Sequence, residues 1–453
     1  MKSGHQPTLS LFLLAVGSMF FIFCNAPKRA GVGVPSQRPN TTRPTTVPGA
    51  SPMDTVRWAP ATTPVPPIGN APASGQPYLG QQYNLAILLP FLTDQADSDT
   101  RSVPEKSSLA LQFYGGASLA LKKLAAEEGL NLIVDVLDTR VNDADFQQLF
   151  SNPRLGKAQV IIGPIRSSHV NLLAERIKQT RQILVSPESP NMDLTSQNPD
   201  FVQINPSLRA HCAAIARYVL QRNSPEAVTL VSKQREADRL PFFQQANRAG
   251  NKPFAELIVP DDLTSFDKID LRPYIRPGRK SIFILPTWAS QSFVMAFLQK
   301  LRATKGSASV EVYGMPQWKS FTNIEPEYFN ELNVHISSAY YVDRNSDEAR
   351  AFRQLFYDAY GTIPSEDAYN GYDVALFTGR MLKRYGLSFP QQLASTESFN
   401  GMHNRFQFAK VYTTPPDPLA GNTNDLLNRY DYLENIFVHI LKYQNYQFLP
   451  VNQ

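Results

Sequence analysis

Short apolar runs alternate with amphipathic segments from Leu85 almost to the C-terminus, and few architectures accept that pattern. Leu85 to Pro90 is a continuous apolar run, as expected of a strand buried on both faces. Ser107 to Glu128 sets Leu109, Phe113, Ala117, Ala120 and Leu124 near one helical face, and Gly129 stops it. The spacing then predicts a strand over Leu130–Leu137, a helix over Asp143–Phe150, and a strand over Val160–Ile162 broken by Gly163 and Pro164. A helix over Ser167–Thr180 and a strand over Gln182–Val185 follow. This is the signature of an open parallel sheet with right-handed crossovers.

The alternation starts again after a switch near Ile204 to Arg209. Strands are expected over Ala227–Val231, Ala255–Val259, Ser281–Leu285 and Ser309–Tyr313, with helices over Glu236–Ala249 and Trp288–Ala303. After a strand over Val334–Tyr341, helices are expected over Asp347–Tyr360 and Ser365–Tyr385. Strands around Phe406–Tyr412 and Asn435–Tyr443 end the chain. The fold class is therefore α/β with two mainly parallel, Rossmann-like sheets. Two lobes also suit the length, since about 370 residues exceed one comfortable hydrophobic core.

The first 82 of the 453 residues differ in kind. Leu11 to Phe23 is an apolar run behind a polar start, and its ~13 residues suit a signal-peptide core better than a span of about 20. Residues 1–26 read as a signal peptide or lipoprotein leader. Cys24 ends the run as a lipidated cysteine would, although Phe21, Ile22 and Phe23 make a poor lipobox. Lipid anchoring at Cys24, simple secretion and an uncleaved anchor all stay open. Each puts the domain in the periplasm or cell envelope, with membrane contact only through the leader or its lipid.

Residues 27–82 are rich in Pro and Thr and cannot bury enough apolar surface to offset their ordering entropy, so they read as a disordered, semi-rigid linker. Within them Val56 to Trp58 is an apolar island, either a docking peptide or a segment that packs back on the domain. Lys2, Lys28, Arg29, Arg38, Arg43 and Arg57 against Asp54 account for the whole net charge of +5. The remaining chain is balanced, so no nucleic-acid partner is expected. With two cysteines, Cys24 and Cys212, there is no disulfide framework and no zinc spacing, and Cys212 reads as a small buried hydrophobe.

Several ordered segments carry a resemblance. Ala86–Pro90 is followed by Phe113–Ala117 in a helix ending at Gly129; then come Val160–Pro164 with Ser167 and Ser168, Ile183–Pro187 and Phe201–Pro206. Phe352–Gly361, Pro364 and Ala368–Val374 complete the set. Across roughly residues 83–450 the chain resembles the type 1 periplasmic binding proteins of the leucine-binding kind, substrate-binding proteins of ABC transporters. The resemblance implies two discontinuous lobes joined by three crossovers, with ligand bound in the cleft and closure by hinge motion. Lobe one would use about 83–205 and 342–395, and lobe two about 206–341 and 396–453.

Ligands in open α/β sheets sit at the carboxyl ends of the strands. In lobe one those ends carry Phe91, Ser167, Ser168, Ser186 and Ser189. Ser167 and Ser168 open a helix, where hydroxyls and free N–H groups suit an anion or serve as a plain N-cap. The resemblance implies that a serine here meets a ligand carboxylate. It also implies a threonine three positions after Pro187, where this chain has Pro190, without hydroxyl or N–H. Glu188 would accept from an ammonium or point outward. Lobe two offers Gln234, Thr287, Trp288, Gln317, Trp318 and Tyr340. Gln317 stands nearest to where some relatives pair the ligand ammonium with an acid, and a neutral amide grips less strongly. Asp373 reads as a structural hydrogen-bonder.

No phosphate loop, nucleophile elbow, zinc-protease motif or glycine-rich cofactor loop is present, so no cofactor, metal or catalysis is expected. Two functions fit. One is an extracytoplasmic solute-binding protein for an amino acid or related compound, serving ABC-type import through a membrane permease, or sensing. The other is an envelope scaffold or regulatory lipoprotein that turns the same fold toward a protein partner such as a peptidoglycan synthase.

Overall fold

The computed structural model describes residues 55–58, 82–97, 102–248, 252–412 and 430–452. The leader, Cys24 and most of the linker lie outside the described residues. All described elements belong to one unit, Met53–Gln453.

In chain order the first elements are β1 (Thr55–Trp58), β2 (Tyr83–Leu89), α1 (Ser108–Ala126), β3 (Leu132–Asp138), α2 (Asp143–Gln148), α3 (Pro153–Lys157), β4 (Val160–Ile162), α4 (Ser167–Thr180), β5 (Ile183–Ser186) and β6 (Phe201–Gln203). Then come α5 (Leu208–Leu220), β7 (Val228–Lys233), α6 (Leu240–Ala246), β8 (Ala255–Val259), α7 (Leu263–Asp267), β9 (Ser281–Ile284), α8 (Gln291–Lys305), β10 (Val310–Gly314), α9 (Pro326–Glu331) and β11 (Val334–Ser338). The last are α10 (Asp347–Tyr360), α11 (Glu366–Tyr385), α12 (Phe389–Gln392), β12 (Phe399–Asn400), β13 (Arg405–Phe406), β14 (Phe408–Val411), β15 (Tyr432–Asn435), β16 (His439–Gln444) and β17 (Gln447–Pro450).

Two mostly parallel sheets result. Lobe one has the order β1-β3-β2-β4-β5-β6-β15-β14, and lobe two β17-β16-β11-β10-β9-β7-β8. The central strands explain the unbroken apolar runs. On β2, Leu85, Ile87 and Leu89 face one buried cluster, while Ala86 and Leu88 face another. A strand covered by helices on both sides has no polar face to show. The island at Val56 to Trp58 does lie on the domain: β1 pairs antiparallel with β3, Thr55 opposite Asp135 and Trp58 opposite Leu132. The edge of β3 is thereby covered.

Gly163 ends β4 with φ of 97°, and a Cβ there would meet the Leu88 carbonyl oxygen at 2.2 Å. Only glycine fits that turn. The segment expected as one helix from Glu236 is instead a 3-10 stretch, Gln234–Arg239, followed by the short α6. Pro241 enters α6 in its first turn, where a missing N–H costs nothing.

The chain passes between the lobes after β6, after β11 and after β15. The third passage differs from expectation. Residues 396–412 and 430–435 stay with lobe one, because β14 pairs with β15 and β15 lies beside β6. The apolar run expected as one strand over Asn435–Tyr443 is two strands in two sheets. Asn435 breaks it: its Oδ1 accepts from the Gln407 and Phe437 amides at 2.9 and 3.2 Å, and its Nδ2 donates to the Arg405 carbonyl at 3.1 Å. Those bonds turn the chain out of the first sheet. Cys212 is buried in α5, and its thiol is pushed up by burial. Among the described residues no helix is long and apolar enough to cross a membrane.

Candidate functional site

A cleft of about 360 Å³ opens where the lobe-one strands end and two of the crossovers pass. Pro187 and Glu188 enter it just after β5, and Asn205 from the first crossover. Ala339 and Tyr340 come from the second crossover. The start of α11 supplies Ser365, Glu366, Asp367 and Asn370, and a loop after β12 supplies His403 and Asn404.

Helix α11 is aimed by its packing. A Cβ on Gly116 of α1 would meet the Ala368 carbonyl oxygen at 1.8 Å, and one on Gly371 would meet the Phe113 carbonyl oxygen at 2.0 Å. The two helix backbones therefore touch. The Ser365 amide donates to Gln112 Oε1 at 3.0 Å, which fixes the helix start against α1. Ser365 caps α11, accepting from the Asp367 amide at 3.1 Å, and two acids in the first turn complement the helix dipole.

About two turns into α11, Asp373 accepts from the amides of Met402, His403 and Asn404 at 3.0, 2.7 and 2.8 Å. This carboxyl folds the loop over the helix and delivers two side chains to the cleft. Asn404 Nδ2 then donates to Asn370 Oδ1 at 2.7 Å, and Asn370 Nδ2 donates to Glu188. Asn205 Nδ2 donates to the Glu188 carbonyl at 2.8 Å. Tyr340 stacks on His403 with ring centres 4.2 Å apart.

The charges are unevenly matched. Lys319 of lobe two reaches Glu366 at 3.2 Å, and Arg344 lies at 4.0 Å. Burial pushes the Glu366 carboxyl up, but Lys319 and the Tyr340 hydroxyl outweigh it and hold it below its ordinary value. Glu188 is pushed up to about 7 by burial and then by Asp367, against the Asn370 hydrogen bond. Asp367 is raised by burial, with Glu366 adding to it. Burial drives His403 down to about 3, so its imidazole is neutral. A second cavity of about 560 Å³ shares His403 and Asn404 and is bounded by Arg405, Phe437 and His439.

Of the eleven residues expected at the site, the structure brings Tyr340 alone to this cleft. Phe91 packs edge-on against Tyr114 at 5.9 Å. Ser167 is exposed, and the α4 start has no side-chain cap. Ser168 donates to Asp143 at 2.7 Å and accepts from Arg166 at 3.1 Å, so the chain's own carboxylate occupies that hydroxyl. Ser186 and Ser189 are buried with hydroxyls that make no hydrogen bond. Gln234 is exposed. Thr287 is buried and donates to Glu236 at 2.9 Å. Trp318 is core, not cleft: it is fully buried, and its Nε1 donates to the Thr287 carbonyl at 2.9 Å. Trp288 meets His211 edge-on at 5.9 Å, and Gln317 is half-buried.

Sequence reasoning weighed Glu188 but missed Glu366, Asp367, Asn370, His403 and Asn404. The acids after Ser365 look like ordinary helix-start residues, and nothing local marks His403 or Asn404. Asp373, read as structural, was the one available pointer.

Residues 105–418 match the sequence model of the family described as periplasmic binding protein. The chain belongs to that family. Among solved structures, a leucine-bound ABC transporter substrate-binding protein from Desulfitobacterium hafniense is similar at 16% identity and a TM-score of 0.51, covering 82% of this chain and 100% of the other. A putative branched-chain amino acid ABC transporter from Rhodospirillum rubrum matches at 15% identity and 0.55, with the same coverage. The C-domain of LpoA from Haemophilus influenzae, a regulator of PBP1A, matches at 14% identity and 0.52, again covering 82% and 100%. At these identities the likeness is one of fold. A search of curated protein sequences found no match.

Proposed function

We propose that this family member is an extracytoplasmic binding protein, without catalysis, that closes its two lobes over a small ligand for ABC-type import or sensing. The observation that carries the reading is the polar cleft of about 360 Å³ at the crossovers, a volume suited to a small molecule. Hinge segments line it, so a ligand there would bias the lobe angle directly. The leader, whether lipidated at Cys24, cleaved or retained, would hold the domain outside the cytoplasm. A thermal-shift screen of amino acids, amines, peptides and sugars tests this: a true ligand raises the melting temperature in proportion to its saturation. A broad screen with no shift counts against it.

A second reading is favoured by one observation. The Ser168 hydroxyl at the start of α4, where the family resemblance expects a carboxylate grip, is taken by Asp143 and does not line the cleft. A protein that no longer needs a ligand there could serve as an envelope regulator. Pull-down of a peptidoglycan synthase from envelope extract, with no permease recovered, would favour that alternative.

A further inference from the structure

We infer that the cleft takes an organic cation, an amine or guanidinium compound without a carboxylate, and that Glu188 and Asp367 hold its charge. This rests on the reading of the cleft as a ligand site and deepens it. Three carboxylates face one small cavity, and Lys319 with Arg344 serves only Glu366. Glu188 meets the Asn370 amide, and Asp367 the Ser365 hydroxyl at 3.0 Å. Neither partner carries a positive charge, so two acids share the cavity without a counter-ion.

His403 points to the same ligand independently. It is 3% exposed and lines the cavity, and neither ring nitrogen makes a hydrogen bond of ordinary geometry, with the Asn404 side chain as its polar neighbour. Buried polar groups seldom stay unpaired, and a neutral imidazole keeps one lone pair to accept an N–H. The Tyr340 ring stacked on it already has the Lys319 ammonium 5.4 Å from its centre, a face suited to positive charge. Two of the groups that the family resemblance assigns to a ligand carboxylate are used or missing, while the buried Ser186 and Ser189 hydroxyls stay unpaired. Ser168 is bound to Asp143, and Pro190 has no N–H. Among the described residues no cluster of three His, Cys, Asp or Glu side chains is placed to hold a metal ion, which favours an organic cation over a metal.

The site is also pH-sensitive. Asp367, Glu366, Tyr340 and the neutral His403 line the cavity with Glu188, and Lys319 and Arg344 lie on its Glu366 side. With the Glu188 carboxyl at about 7, a bound cation favours its ionised form and releases a proton.

Isothermal titration calorimetry of the full chain with putrescine, agmatine, spermidine, arginine, leucine and glutamate decides the matter. The expected result is binding of an amine or agmatine, weakened about tenfold or more by E188Q and by D367N, and about tenfold or more weaker at pH 5 than at pH 8. The pH series on the unaltered protein keeps the test open should a variant misfold. Binding of leucine or glutamate in preference to the amines would overturn the inference and leave the small-ligand reading standing. Amine binding unaffected by both variants and by pH would overturn the assignment to Glu188 and Asp367. A panel without any binder would overturn the inference together with the small-ligand reading.

Discussion

Asp373 shows how one side chain can build part of a site it does not line. It is 1% exposed, and its carboxyl accepts three consecutive amides from a loop about thirty residues away. Burial pushes it up to about 7 although all three amides favour the carboxylate. The consequence has a definite sign. Between about pH 4 and 7 the unfolded chain releases this proton while the folded chain keeps it. This group's contribution to stability is therefore full below pH 4 and lost as pH rises through 7. D373N is expected to cost about 1–3 kcal/mol, since an amide cannot accept all three N–H groups. That cost should be larger at pH 4.5 than at pH 8. Urea denaturation at the two pH values checks it, and a cost that grew with pH would contradict the assignment.

At the scale of elements, the contact between α1 and α11 decides where the site acids stand. Phe113, Ala117, Ala120 and Leu124 of α1 share a buried cluster with Val374 and Phe377 of α11. Gly116 and Gly371 let the backbones touch. In α1, Gly115 faces Phe356 and Tyr360 of α10 while Gly116 faces the α11 backbone. G116A has no room for its methyl group, so the helices must part. The expected loss is about 1–3 kcal/mol or more, with weaker ligand binding because Glu366, Asp367 and Asn370 shift together. Denaturation and calorimetry on one preparation would show both effects. Full stability in the variant would mean the contact is softer than its geometry implies.

For the whole molecule, Lys319 and Glu366 form a link between the lobes near the hinge. Their side chains are 45% and 36% exposed, so the pair contributes less than about 1 kcal/mol. That is still enough to shift an open–closed balance severalfold. K319A is expected to move the lobes toward the open state, read by fluorescence transfer between labels on the two lobes. Salt near 0.5 M should move the unaltered protein the same way. An unchanged distance distribution in both would remove the pair from the closing mechanism.

Local pattern determined a good deal. The alternation of apolar runs and amphipathic stretches carried the α/β class and the two sheets. It also carried elements such as β4, α4, β8 and α10, whose bounds match expectation. Burial on both faces or along one stripe leaves a periodic trace in the sequence, and that is why these were legible. Other features depended on partners distant in sequence. Asn435 divides an apolar run between two lobes because of bonds to Arg405 and Gln407. Trp318 looks like a cleft aromatic until its indole finds the Thr287 carbonyl in the core. The cleft joins Glu188, Tyr340, Asp367 and His403 from four separate stretches of chain. Periodicity says which face of an element is buried, but not which remote groups meet at its end, and only the tertiary packing of α11 against α1 and the crossovers decided that.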